Sequence, residues 1–393
     1  LEFRRVLFRS NCLTKEQRLS LQMDEFMNRR YEFRYNTQIG EVEYRERFSF
    51  QFYFHSIDKR AQNSIMLDAQ SEGIGVWDRD IDRYLHSNRV PIYNPLEEFL
   101  FHLPHWDGKD RIHALANRVP CKNPHWELLF HRWFLNMVSH WRGVDKMHAN
   151  NTSPILVGRQ GTHKSTFCRE MIPPALRAYY TDSIDFSHKR DAELYLNRFA
   201  LINIDEFDQI TLPQQGFLKH ILQKPVVNLR KPHGRSVLEL QRYASFIGTS
   251  NQKDLLTDPS GSRRFICIEV TGNIDTTQPI DYEQLYAQAM HEIHHGERYW
   301  FDSEDEQIMT ENNREFEQTP AMLQLFYQYF KTAQTKEEGE FLTPVEILNY
   351  LKKKSGMSLS DNKVYHFGRL LQKCGIPSKH TYKGTVYQVI KVL

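Results

Sequence analysis

The sequence predicts an α/β fold, and three observations point to it. Short apolar runs at PILVG (154–158), FALINID (199–205) and YASFIGTS (243–250) each end in glycine or a polar residue. Buried parallel strands look like this when their carboxyl ends carry chemistry. Helix-like stretches alternate with these runs, and the first run leads into GRQGTHKST (158–166). That segment nearly matches the phosphate-binding loop G-x-x-x-x-G-K-[ST]: Gly158, Lys164 and Ser165 are in place, but His163 stands where the second glycine belongs.

Taken in order, the first ten residues, LEFRRVLFRS, resemble the translation of a short-read sequencing adapter and are set aside from fold reasoning. On that expectation the reading frame is a fragment truncated upstream. Residues 11–93 form a mixed α/β region: YEFRYN and EVEYRE flank the turn-like TQIG as a β-hairpin up to about His55. Helical patterns follow over about Lys59–Gly73 and Asp78–His86. Residues 94–150 read as a helical domain made of NPLEEFLFHL, RIHALANRV and the aromatic PHWELLFHRWFLNMVSHW. In the last of these, Trp126, Phe130, Trp133, Phe134, Met137 and Trp141 recur at three- and four-residue steps, which predicts packed core rather than a base-stacking platform. Residues 151–331 form the P-loop domain with a helical extension, polar residues 332–340 read as a linker, and 341–393 form a basic carboxyl-terminal domain.

Composition narrows the function classes. The 393 residues carry a formal net charge of only +2, so any nucleic-acid surface must be local. Five scattered cysteines with no C-x-x-C pair argue against a disulfide framework and a zinc cluster. No apolar run approaches the roughly 18 residues of a membrane span, and no signal peptide is evident, so a cytoplasmic protein is expected.

The P-loop pattern has a physical rationale. A strand must deliver the chain into a loop whose backbone N–H groups face phosphate, and a helix beginning at once adds its positive end. An anion nest alternates left- and right-handed residues, which predicts positive φ at Gly161 and His163. Histidine is among the residue types enriched there, at a strain of about 1–2 kcal/mol. Downstream, FALINIDEFD ends in adjacent carboxylates: Asp205 suits water-mediated Mg²⁺ coordination with Ser165, and Glu206 suits polarising an attacking water. The alternative is a strand that merely ends in an acidic turn. SFIGTSN places Asn251 where a polar sensor would touch a γ-phosphate, although an asparagine there also suits an ordinary turn. GSRRFICIEV puts an unpaired couple, Arg263 and Arg264, at the lip of a fourth strand, either as surface charge or as transition-state stabilisation supplied across a subunit boundary.

GRQGTHKST, INIDE, GTSN and GSRRF, with NPLEEFLFHLPHWDGKDRI upstream, resemble the virulence-associated E family of P-loop proteins of bacterial mobile elements. That family is similar to superfamily 3 helicases and poxvirus-type primase-helicases. The resemblance covers roughly residues 31–300, and the basic carboxyl-terminal region resembles a domain often appended in Bacteroidetes members. It implies an AAA+-like ATPase using ATP and Mg²⁺, acting on DNA as a homo-oligomeric ring. Gly158, Gly161, Thr162, His163, Lys164, Ser165 and Thr166 would hold the nucleotide, with Lys164 on the β- and γ-phosphates and Ser165 and Asp205 on the metal. Glu206 would act on water, Asn251 as sensor, and Arg263 or Arg264 as the finger. The departure at His163 bears on turnover more than on binding.

Between Asp205 and Asn251, VVNLRKPHGRSVLELQRYASF encloses KPHGR between two β-prone arms. Its tip, with Arg230, Lys231, His233 and Arg235, resembles the hairpin that superfamily 3 helicases project into a central channel, where cations track single-stranded DNA without base preference. A plain solvated hairpin is the alternative. The carboxyl-terminal piece reads as helix, helix, hairpin. Thr343 and Ser360 or Asp361 suit N-caps, Gly356 and Gly375 suit helix ends, and Lys383-Gly384 suits a turn. Residues 351–393 hold nine Lys or Arg against one Asp, so this winged-helix-like unit favours nucleic acid over protein docking. His291, His294 and His295 have helical metal-ligand spacing but no further ligands nearby in sequence, and read as surface histidines.

These signals predict an ATP-hydrolysing DNA helicase or translocase serving replication or transfer of a mobile element. The rival from another class is a nucleotide-gated or hydrolytically inactive DNA-binding scaffold. A small-molecule P-loop kinase is a third, but its usual second substrate pocket has no signature here.

Overall fold

A computed structural model describes residues 13–392 apart from 51, 144–146, 230–237, 257–258, 319–320, 334–338, 357–363 and 383. The chain divides into two compact units, one of residues 1–253 with 258–315 and one of residues 254–257 with 316–393.

The first unit opens with a helix that the sequence reading overlooked. Helix α1 (Lys15–Arg30) is started by a capping box, Thr14 with Gln17 three residues on, and buries Phe26 and Met27. It runs straight into β1 (Tyr31–Asn36), which pairs antiparallel with β2 (Glu41–Glu46) through the predicted turn; β3 (His55–Ser56) extends the hairpin. Helices α2 (Lys59–Ser71) and α3 (Asp78–Leu85) follow, and β4 (Ile92–Tyr93) closes the sheet by pairing parallel to β1. Phe26, Tyr31, Phe33, Ile65 and Tyr84 form a core of their own beneath this sheet.

Helix α4 (Pro95–Phe101) starts from Asn94, whose side chain accepts the N–H groups of Leu96 and Glu97, with proline at the first helical position. Helices α5 (Arg111–Ala116) and α6 (Trp126–Arg142) complete the helical block. The aromatic stripe of α6 is buried throughout. Residues 94–150 are not a separate domain, however. Trp133, Phe134 and Trp141 share one continuous core with Leu156 and Ile247 of the following sheet, so the helices are a layer of the α/β unit.

That sheet is wholly parallel. Its strands are β5 (Ser153–Val157), β6 (Tyr180–Thr181), β7 (Leu201–Ile204), β10 (Ser245–Ser250) and β11 (Phe265–Glu269), in the order β11-β5-β10-β7-β6. Between them lie α7 (Lys164–Glu170), α8 (Lys189–Arg198) and α9 (Leu212–Leu222), then the antiparallel arms β8 (Val226–Leu229) and β9 (Leu238–Gln241). The predicted DNA-binding tip with Arg230, Lys231, His233 and Arg235 lies outside the described residues. Helices α10 (Tyr282–His294) and α11 (Ser303–Asn313) finish the unit. Among the described residues no helix is long and apolar enough to cross a membrane.

The second unit comprises α12 (Ala321–Tyr329), β12 (Phe330–Thr332), β13 (Glu340–Leu342), α13 (Pro344–Ser355), α14 (Val364–Lys373), β14 (Ser378–Thr381) and β15 (Gly384–Lys391). Strand β15 pairs antiparallel with β12, β13 and β14. This overturns the linker expected at 332–340: both its ends lie in strands of one sheet, on opposite sides of β15, and so within one unit. Thr343 caps α13 in a capping box with Glu346, and Gly356 ends it at φ 70°. Gly375 (φ 69°) and Gly384 (φ 98°) are left-handed as their turns require, while Ser360, Asp361 and Lys383 lie outside the described residues.

Candidate phosphate-binding site

The carboxyl ends of β5, β7 and β10 open on one cavity of about 310 Å³, lined by residues 160–166, Asp205, Glu206, Thr249 and Asn251. The loop after β5 is shaped by its neighbours. A Cβ at Gly158 would meet the Val270 carbonyl oxygen at 3.0 Å, so glycine lets the strand end pass close to Val270 without displacing it. Thr162 Oγ1 donates to the Arg159 carbonyl (2.9 Å), and the Ile274 N–H donates to the Thr162 carbonyl (3.1 Å), pinning the loop.

Gly161 has φ 82° and His163 φ 66°. Glycine is indifferent to that handedness, whereas histidine tolerates it at a cost. Among the described residues the non-glycine residues at positive φ are His163 and Glu206 (φ 53°), and both line this cavity. Strain of about 1–3 kcal/mol at each persists only where the surroundings enforce it, and such strain clusters at functional sites. Helix α7 has only seven residues, so the attraction for anions rests on the loop's N–H groups and Lys164 more than on a helix dipole.

Lys164 is buried at 6% exposure. Its ammonium donates to the carbonyls of Gly158 (2.7 Å) and Arg159 (2.8 Å) and to Asn251 Oδ1 (3.2 Å), so the sensor-like asparagine and the lysine are in direct contact. Removal from water pulls the Lys164 pKa below its ordinary value, against the pull of Asp205 in the other direction. Ser165 Oγ donates to Asp205 Oδ1 (3.0 Å), and Thr249 Oγ1 donates to the same oxygen. Two further residues escaped the sequence reading: Asp208 accepts from Ser250 Oγ (2.8 Å), and Ser250 Oγ in turn accepts the Gln252 N–H (3.0 Å), bracing the turn that presents Asn251. The signal for Thr249 and Ser250 was their place at the end of an apolar run.

The predicted arginine couple is not unpaired. Arg263 donates to Glu306 of α11 (2.9 Å). Arg264 lies against the Gln223 amide, whose oxygen, turned towards it, accepts at 2.7 Å. Burial, then the neighbouring Arg263 charge, lowers the Arg264 pKa. Neither lines the cavity at the loop after β5. His291, His294 and His295 are exposed at the end of α10, the first and last with rings stacked at 3.9 Å.

A second cavity of about 550 Å³ adjoins the first and shares Thr162 and Asn251 with it; Lys122, Arg159 and the Lys253–Glu269 ion pair (2.9 Å) add charge to its wall.

Hard oxygens beside a buried lysine and a left-handed loop suit a phosphorylated ligand with a divalent cation. The profile of the virulence-associated protein E-like domain matches residues 100–318, more than half of the chain. The chain belongs to that family. Its VapE-like domain holds every residue of the cavity, and residues 319–389 match DUF3874, a domain of unknown function from B. theta. No curated protein matches the chain. Among solved structures it is similar to the apo C-terminal region of NrS-1 (305–718), at 12% identity and a TM-score of 0.47, covering 97% of this chain and 100% of that one. An A form apo structure of the same region gives 11%, 0.46, 95% and 98%. Both scores lie below the level at which a shared fold is implied.

Proposed function

We propose that this chain is a P-loop ATPase that couples ATP hydrolysis to moving along or unwinding DNA, as a ring of like subunits serving replication or transfer of a mobile element. The observation that carries it is convergence: Lys164, the Ser165–Asp205 pair, Glu206 and Asn251, from separate segments, line one cavity. Numbered in chain order, the parallel strands run five-one-four-three-two, which supports an AAA+-like core. The order helix, two strands, two helices, two strands, with the last strand central, supports a winged-helix-like carboxyl-terminal unit.

In this reading residues 158–166 cradle the phosphates and Lys164 exchanges its carbonyl partners for β- and γ-phosphate oxygens. Ser165 and Asp205 have the hard oxygens that fit Mg²⁺, which when bound neutralises charge on those phosphates. Glu206 accepts a proton from, and orients, the attacking water, while Asn251 holds the γ-phosphate. Arg264, and Arg263 if released from Glu306, would reach a neighbouring subunit's cavity. The segment between β8 and β9, which carries Arg230, Lys231, His233 and Arg235 in sequence, would contact single-stranded DNA, and a DNA partner implies a cytoplasmic setting.

The test is ATP hydrolysis with and without single-stranded DNA, beside Lys164→Ala and Glu206→Gln. Hydrolysis stimulated by DNA and lost in both variants supports the proposal. One observation favours a second reading, a nucleotide-gated scaffold: the Arg263–Glu306 pair withholds one candidate finger. Nucleotide binding without turnover in the unaltered chain would select it.

A further inference from the structure

We infer that the carboxyl-terminal unit, residues 316–393, is a duplex-DNA anchor whose reading element is α14. This rests on DNA as the partner but not on ATP hydrolysis. Helix α14 has two unlike faces. Phe367 and Leu371 are buried in the unit's core, with Leu370 and Val364 packed against it. Tyr365, Arg369 and Gln372 fall at i, i+4 and i+7 on the opposite side and are exposed, Tyr365 at 76%.

The inner face is held rigidly. A Cβ on Gly368 would meet Pro344 of α13 at 3.2 Å, so glycine lets the two helices pack closely. The Tyr387 hydroxyl on β15 donates to the Gly368 carbonyl (2.7 Å), tying the helix to the sheet. On the outer face the Arg369 guanidinium lies over the Tyr365 ring, 5.4 Å from its centre, which limits the conformations both would lose on binding.

The chemistry of that stripe and the charge around it decide the occupant. Arg and Gln are the side chains that pair with guanine and adenine edges in a major groove, and since Tyr and Arg also anchor protein contacts, the local charge is what selects DNA. Charge agrees, with nine Lys or Arg against one Asp in residues 351–393 although the whole chain is near neutral. Between β14 and β15 the turn carries Tyr382, 94% exposed, followed in sequence by Lys383. Lys379 on β14 has its ammonium 3.5 Å from the centre of the Phe341 ring. An Arg–Gln stripe for base edges and the Lys379 cation on a separate strand for a flanking phosphate are the two kinds of contact that a duplex reader makes.

The experiment uses the full chain carrying Lys164→Ala, so that nucleotide chemistry plays no part, and a labelled duplex of about 20 base pairs in a salt titration. The expected result is salt-dependent binding that Arg369→Ala with Gln372→Ala weakens at least tenfold, while the slope flattens by about one where the phosphate-contacting Lys379 is removed. Both positions are exposed, and unchanged thermal melting of the variant checks the fold. Lys379→Ala, on a different element, should weaken binding several-fold on any duplex sequence. Unchanged duplex affinity and slope in both variants would overturn the inference, as would binding of single strands alone. Loss of self-association instead of DNA binding would show a protein-docking face.

Discussion

In the first unit the polar side chains with chemical capacity converge on the cavity, whereas in the carboxyl-terminal unit they stand outward and apart. Lys164 and Thr249 are buried and Asp205 accepts from two hydroxyls; Tyr365, Arg369, Lys379 and Tyr382 are exposed on several elements. Convergence makes each residue's surroundings depend on the others, so single losses should be severe and non-additive. Dispersion makes each contact a separate, salt-screened increment. The predictions below press on that contrast.

The largest effect is expected at Lys164. Lys164→Ala removes the buried cation and should lower ATP hydrolysis by about 10²–10³-fold or more, read by phosphate release. Glu206→Gln should cost a similar factor while leaving nucleotide binding in place. Combining them should cost little more than either alone; a multiplicative loss would mean that the two do not act as a unit.

Next comes Arg242, which connects the β9 arm to β10. It is buried, and its guanidinium donates to the carbonyls of Ala244, Ile221, Leu222, Lys224 and Asn150 at 2.7–3.3 Å. Burial pulls its pKa down to about 9, but five carbonyl oxygens reward the charged form. Arg242→Leu would leave several of those oxygens without partners and should destabilise the unit by about 3 kcal/mol or more, measured as a lower urea midpoint. A loss below about 1 kcal/mol would show that water replaces the guanidinium.

At His163 two terms nearly cancel. Relief of left-handed strain offers about 1–2 kcal/mol, and added chain entropy takes back about 0.5–1 kcal/mol. His163→Gly should therefore shift stability little and keep or raise ATPase activity, whereas His163→Val, β-branched at positive φ, should lower both. A glycine variant that loses nucleotide binding would show the imidazole itself touching the ligand.

How legible this was in the sequence depended on how local the cause was. The loop after β5 with its left-handed positions, the strands leading to Asp205 and Asn251, and the core role of the α6 aromatics follow from residue types within a few positions. Four features did not. Strand β6 has two residues and no period to detect. The Arg263–Glu306 pair spans 43 positions and depends on where α11 packs. Residues 332–340 are polar like a linker, yet their ends are strands because β15, some fifty residues on, pairs with them. Glu206 is left-handed because the chain must turn from β7 into the short helical turn Phe207–Gln209, a geometric demand that a carboxylate does not announce.

The smallest effect concerns the protonation of Lys164. Its pKa is lowered in the folded chain, chiefly by loss of water, so the unfolded chain holds this proton more tightly. Stability from this group therefore rises with pH, its cost being present below the lowered pKa and relieved as pH climbs through it towards the ordinary lysine range. A bound phosphate reverses the sign, because it rewards the charged form. ATP affinity should be flat near neutrality and fall as pH rises through the lowered Lys164 pKa, because the neutral amine no longer attracts the phosphates. Binding titrations between pH 7 and 10 would show this in the unaltered chain and not in Lys164→Ala. Duplex binding by the carboxyl-terminal unit should pass through the same range without that Lys164-dependent step. An equal step in both would place the titrating group outside the cavity and erase the contrast between the buried cation and the exposed ones.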